Sequence, residues 1–309
     1  MKKYLTFFLK LAVSLGFVTW LILVTNWSQV LFYFREISAW KLVLYVVLIV
    51  FSLFVSAYKW KILGEFKNIK VSLWDYFRFY LAGVFINNFM PSFIGGDTFR
   101  AYQIGKPDKK YMEAASSVIL DRVTGFVGST ILVVVFGLLN LQRVIEIKAL
   151  VIVDLLVLAS LFLDFFIIQF RKLKFWKKIN RFLPQKLVKL FAELDEYSGN
   201  SHILARTIWW GMIFGIVGVA IPNLVLFWAL NLKISILNYL SVIFLISIIT
   251  AVPISVNNIG IKEWAYVVFF GAFGINGAAV VTVSILNRFI QMIISFFALP
   301  TYLKSKKNS

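Results

Sequence analysis

Arg288 lies near the middle of the last apolar segment, beside Asn287 and one turn from Gln291. A guanidinium that deep in an apolar run is expensive against lipid and normally faces a polar pathway or a fixed partner. It also carries a planar fork of donors that matches a phosphate. Asp97 and Arg100 offer the same chemistry three residues apart, which on a helix is one face. Arg100 can present its fork to a phosphate while Asp97 orients it, or the two can form a helix cap and a local ion pair. Asp121 and Arg122 open an uncharged run that lasts to Leu141. Adjacent residues diverge on a helix, so each needs its own partner. Asp121 can meet Arg100 or Arg288; Arg122 can tie the Phe79–Gly96 hairpin to its own helix or contact a lipid phosphate. Glu263 is the leading partner for Arg288, with Asp121, Asp154 and Asp164 as other carboxylates.

Two apolar blocks carry groups that lipid cannot satisfy. Phe79 to Gly96 contains Asn87, Asn88, Pro91 and Gly95-Gly96; Ile234 to Ile261 contains Pro253, Ser255, Asn257, Asn258 and Gly260. Proline removes a backbone donor, glycine weakens a helix, and paired amides are costly against hydrocarbon. These features predict two broken, re-entrant hairpins buried in protein, the second running from Leu237 to Phe273.

The elements that must hold these groups are membrane helices. The 309 residues are 61% hydrophobic and 15% charged, with a mean hydropathy of +0.86. A soluble domain has about half its residues apolar and about a quarter charged, so this chain has too little charge to cover a globular surface. Cysteine is absent, which excludes disulfides, thiolate metal sites and cysteine catalysis, and His202 is the only histidine. No metal or other cofactor is expected. The 32 Lys and Arg against 14 Asp and Glu, a formal +18, fit the basic edges of a membrane protein rather than a nucleic-acid binder.

Six blocks read as full crossings: Leu5–Val24, Ile37–Tyr58, Arg122–Leu141, Leu150–Phe170, Thr207–Leu232 and Gly277–Pro300. The first is preceded by Lys2 and Lys3, but no small-residue cleavage motif follows it, so it reads as a retained helix. Basic stretches at Lys59–Lys70, at Arg171–Lys189 and in the tail (Lys304, Lys306, Lys307) should all be cytoplasmic, as should both termini. Parity holds if the first hairpin enters and returns from the cytoplasm and the second from the outer side. The expected fold is therefore an all-α polytopic bundle of six crossings and two oppositely directed hairpins, with eight crossings as the alternative. The opposed hairpins fit an inverted repeat around a midplane site. Residues 1–309 form one integral membrane domain. Within it, 171–206 is a basic amphipathic cytoplasmic loop, with Pro184 dividing two short interfacial helices.

Asn88 to Arg100 (NFMPSFIGGDTFR), followed by Ser117-Val-Ile-Leu-Asp121-Arg122-Val-Thr-Gly125, resembles the membrane region of lysylphosphatidylglycerol synthases. Stand-alone relatives of that region form a broad family of flippase-like membrane proteins, including archaeal proteins of dolichol-linked sugar pathways. The resemblance extends over essentially the whole chain. The family's second hairpin carries a proline, a glycine-rich turn and a glutamate, which match Pro253 to Glu263, except that Asn257 and Asn258 stand where glycines are usual. The soluble aminoacyl transferase domain of the full-length synthases is absent, so the resemblance implies lipid handling without lysine transfer.

The expected function is a flippase or scramblase for a phospholipid or polyprenyl-linked lipid, bound through Asn87, Asn88, Asp97, Arg100, Asp121, Arg122, Asn257, Asn258, Glu263 and Arg288. The expected partner is an anionic or phosphate-bearing lipid in the cell inner membrane, not a nucleic acid. No G-x-x-x-x-G-K-[ST] loop occurs, so movement would be passive, ion-coupled or driven by product consumption. Two alternatives stand beside it. One is a non-catalytic partner of a separate lipid-modifying or glycosyl-transferring enzyme. The other is a membrane transferase using Asp97, Asp121 or Glu263 as base, which lacks an evident nucleophile.

Overall fold

The computed structural model describes residues 2–89, 94–157, 159, 184–252 and 255–307. Every regular element among them is helical. Apolar side chains cover the outside of this bundle as well as filling most of its core. Leu23, Val43, Val47, Leu138 and Phe297 lie on its outside, whereas Lys59, Arg100, Asp121 and Glu263 are buried. Extended apolar surface around a core that still buries charges is the pattern of a chain solvated by lipid.

Helix α1 (Lys2–Val24) is followed by Asn26, whose side chain accepts from the Gln29 N–H and caps α2 (Trp27–Glu36). The two helices meet at 83°, so the stretch between the first two apolar blocks, to which the sequence pattern assigns no element, is a helix turned nearly at right angles. Helix α3 (Ala39–Phe66) leads into the first hairpin, α4 (Leu73–Phe89) and α5 (Ile94–Gly105). Helix α6 (Tyr111–Leu139) and the short α7 (Leu141–Glu146) follow, then a helical stretch over 148–157. Most of the block ending at Phe170, with Asp164 and the basic residues 171–183, lies outside the described residues. Pro184 precedes α8 (Gln185–Ser198). Helix α9 runs over Ser201–Ala229, and α10 (Ile236–Ala251) and α11 (Ile261–Gly271) form the second hairpin. Helices α12 (Gly277–Phe296) and α13 (Leu299–Lys307) complete the bundle.

Among the described residues α3, α6, α9 and α12 are long and apolar enough to cross a membrane, and the bent α1–α2 pair makes up to five. Contacts between their ends sort the connections onto two faces. On one face Lys110 donates to the Asn68 carbonyl (2.8 Å), so α5 leaves beside the point where α4 entered. Lys67 pairs there with Glu193 and Glu196 of α8. The buried Tyr197 hydroxyl donates to the Leu63 carbonyl at 2.8 Å; burial pushes this phenol up, so it remains a donor. On the other face Asn140 donates to Asn238 and Ser241 at the start of α10, and Lys41 donates to the Trp228 carbonyl. Phe270, at the end of α11, lies against Tyr239 and Phe227, so the second hairpin also returns to where it began.

Small residues let these helices approach. A methyl group on Gly211 would sit 2.9 Å from the Thr124 carbonyl oxygen, and one on Gly128 would sit 2.8 Å from the Met212 nitrogen, which fixes the α6–α9 crossing. Helix α9 contains a π turn over Gly215–Ala220 just before Pro222. Pro222 has no N–H to donate, and the Asn223 side-chain amide supplies a donor to the Val219 carbonyl at 2.8 Å.

Candidate functional site

The first hairpin closes at Gly96. Its N–H donates to Asn87 Oδ1 at 2.9 Å, and its α-carbon packs on Gly83. A Cβ there would lie 2.1 Å from the Gly83 carbonyl oxygen. Gly96→Ala should therefore spread α4 from α5 and cost about 1–3 kcal/mol. The check is SDS titration of purified protein in mixed micelles; a midpoint equal to wild type would show that the hairpin does not need this contact.

Closure of that hairpin assembles five charges. Arg100 is buried and donates to Asp97 Oδ1 (2.9 Å) and Asp121 Oδ2 (3.2 Å). Its guanidinium also lies 4.9 Å from the Trp60 ring centre and 4.6 Å from that of Tyr80. Arg122 grips Asp97 with two bonds of 3.0 Å, using Nε and one terminal nitrogen. Asp121 instead takes Lys59 from α3: Nζ is 3.1 Å from Oδ1 and 2.6 Å from the Asp121 carbonyl oxygen. Gly125, one turn on, leaves the space this ammonium occupies. Three cations thus face two carboxylates. Of the two partners open to Asp121 by sequence, the structure selects Arg100, and Arg122 binds the hairpin.

The second cluster forms at the turn between α10 and α11. Asn257 and Asn258 have φ of 48° and 55°, and Gly260 has φ of 83°. Asparagine tolerates this left-handed region better than other side chains, so a pair of asparagines can serve where glycine would. The turn aims the carbonyls of Asn257 and Asn258 at Arg288, which donates to them at 2.8 and 3.1 Å. Arg288 also reaches Glu263 Oε1 at 3.2 Å. Glu263 does three things at once: it accepts from the Gly260 N–H (2.8 Å), from Ser284 (3.0 Å) and from Arg288. Helix α1 seats on the same turn, where Ser14 accepts from the Val256 N–H. Pro253 is outside the described residues.

Three participants were not legible as site residues. Lys262, whose place beside the turn would let its ammonium reach water, instead donates to Asn287 Oδ1 inside the bundle. Asn223 accepts from Tyr266 (2.8 Å) and from Asn287 (3.0 Å), extending the polar chain to α9. Lys59 completes the first cluster. The signal for Asn223 is its place beside Pro222 within an uncharged crossing, where an unpartnered amide is costly. His202 is exposed, as an ordinary surface residue would be.

The ten residues proposed from sequence thus fall into two clusters. Among the described residues no hydrogen bond joins 87–97 to 255–263. Both are tied to α12: Asn88 donates to Ser295 at 2.8 Å, and Arg288 lies two turns earlier on that helix. No three His, Asp or Glu side chains gather as a metal ion would require among the described residues.

A lipid-facing helical bundle with ionised groups locked inside it is a multi-pass membrane protein. The chain belongs to the family described as the lysylphosphatidylglycerol synthase TM region, which it matches over residues 7–298. It is similar to a UPF0104 membrane protein of Methanocaldococcus jannaschii, with 24% identity over 268 residues that cover 81% of this chain and 80% of that protein. No solved structure matches it.

Proposed function

We propose that this protein moves a phosphate-bearing lipid, a phospholipid or polyprenyl-linked lipid, between the leaflets of the cell inner membrane. The observation that carries this reading is a pair of interior charge clusters on hairpins that fold back from opposite faces. Each cluster has a guanidinium that is only partly buried, Arg122 at 48% and Arg288 at 27% exposure. A lipid phosphate passing between such sites exchanges one bidentate donor set for another without crossing bare hydrocarbon. The family supports a lipid-handling, transport-like role. The proposed topology is six crossings and two re-entrant hairpins in one membrane domain of residues 1–309, including the basic loop 171–206. The ten sequence-selected residues, joined by Lys59, Asn223 and Lys262, line the route.

Reconstitution in vesicles containing fluorescent phospholipid and polyprenyl-phosphate probes tests the activity. Protein-dependent leaflet exchange is expected. Chemically altered lipid recovered from the vesicles would overturn transport in favour of a transferase.

Topology has its own test in this cysteine-free chain. Lys189 on α8 and Lys233 between α9 and α10 are both exposed and belong to opposite faces. The excess of basic residues in the loops on its face supports an inward Lys189. With an impermeant thiol reagent on intact cells, Lys233→Cys should label at once and Lys189→Cys only after permeabilisation. The reverse order would invert the proposed orientation.

A further inference from the structure

A cavity separate from the two charge clusters opens at the foot of the first hairpin. It has a volume of about 730 Å³, and its walls include Arg78 and Phe79 of α4, Gln103 and Lys106 at the end of α5, and Thr301 and Lys304 of α13. Three cations and no carboxylate line it among the described residues. Asp75 pairs with Arg78 through one terminal nitrogen, while Arg78 Nε is buried with no hydrogen-bond partner. A donor desolvated in this way costs free energy unless an acceptor comes to it. The cavity has the size of a small-molecule site and combines apolar wall with a few converging polar groups.

Its place selects the ligand. The cavity lies on the face that carries the basic loops, where the last crossing leaves the apolar zone and α13 begins. Phe297, Leu299 and Leu303, next to it in sequence, are exposed apolar side chains. A soluble anion would use the cations and ignore those side chains; a lipid uses both. We propose that this cavity holds the headgroup of an anionic glycerophospholipid, with the phosphate on Arg78, Lys106 and Lys304 and the acyl chains along the outer surface of α12 and α13. The site is distinct from the interior clusters. Equilibrium binding there needs no lipid movement, so its failure would leave the transport reading intact.

The test uses the full chain in a neutral maltoside detergent, titrated with dihexanoylphosphatidylglycerol, dihexanoylphosphatidylcholine or sodium phosphate. The phosphatidylglycerol should bind most tightly. The triple variant Arg78→Gln, Lys106→Gln, Lys304→Gln should weaken that binding at least about tenfold. A control with Lys148→Gln, Lys189→Gln and Lys233→Gln removes the same charge from exposed positions elsewhere and should change it by less than about twofold. Lys304→Glu alone, on the exposed side of α13, should weaken binding measurably even if the triple variant fails to elute as a monodisperse peak. Equal loss in the control would reduce the effect to net charge and overturn the site. Competition by inorganic phosphate at the lipid's own concentration would overturn the lipid as ligand, as would equal affinity for the phosphatidylcholine.

Discussion

Arg288→Ala should lower reconstituted leaflet exchange by on the order of tenfold or more, and Arg288→Lys should fold yet remain slow. The guanidinium spans two turn carbonyls and Glu263 at once, with one nitrogen on Asn257 and the other shared between Asn258 and Glu263. An ammonium keeps the charge but cannot bridge those acceptors and a phosphate from one plane. Alanine does more damage, because it leaves Glu263 buried without its cation, at a cost of about 3–5 kcal/mol. Exchange rates must therefore be normalised to monodisperse, correctly inserted protein. Restoration of the rate by adding Glu263→Gln would assign Arg288 to charge compensation, since glutamine still offers an acceptor to the Gly260 N–H. A wild-type rate in Arg288→Ala would remove this arginine from the route.

Asp121→Leu should be the most destabilising single change in the first cluster, by about 3–5 kcal/mol. It strands Lys59, whose only carboxylate in the cluster is Asp121, and leaves Arg100 with Asp97 alone. Adding Lys59→Met should recover most of that loss, because the stranded ammonium is then gone and Arg100 retains Asp97. The coupling between the two sites is read from SDS unfolding midpoints of the two single variants and the double variant. Additive effects, with no recovery in the double variant, would show that the pair is not the organising contact.

The parts of this architecture that were legible in sequence are those where a polar group had no local escape. Arg288 sits within an apolar helix, so a carboxylate had to reach it, and Glu263 was the acid placed on the facing hairpin. Asp97 and Arg100 sit three apart and needed no tertiary information. Lys59 was not legible because it stands at the end of an apolar block, followed by Lys61, where a flanking lysine ordinarily marks the cytoplasmic edge. Only the α3–α6 packing turns it inward onto a carboxylate far along the chain. Lys262 was not legible for the same reason: a charge next to a turn can reach water or fold back, and Asn287 decides the matter from another helix. The right-angled α2 escaped notice because its start signal is a single Asn26 between two apolar stretches.

A π turn is an α-helix carrying one surplus residue, and in α9 the widened turn absorbs that surplus between two halves with different duties. The half before it packs Gly211 on α6; the half after it delivers Asn223 to Tyr266 and Asn287. The wider turn takes up that surplus locally, so removing one residue between Gly215 and Ala220 should close it to an ordinary α turn and leave both Asn223 and the α6 contact in place. In a homologous chain a one-residue gap at this point is therefore compatible with the same interior amide, whereas a gap between Ala220 and Asn223, which no wide turn absorbs, would rotate that amide by about 100° off the polar chain.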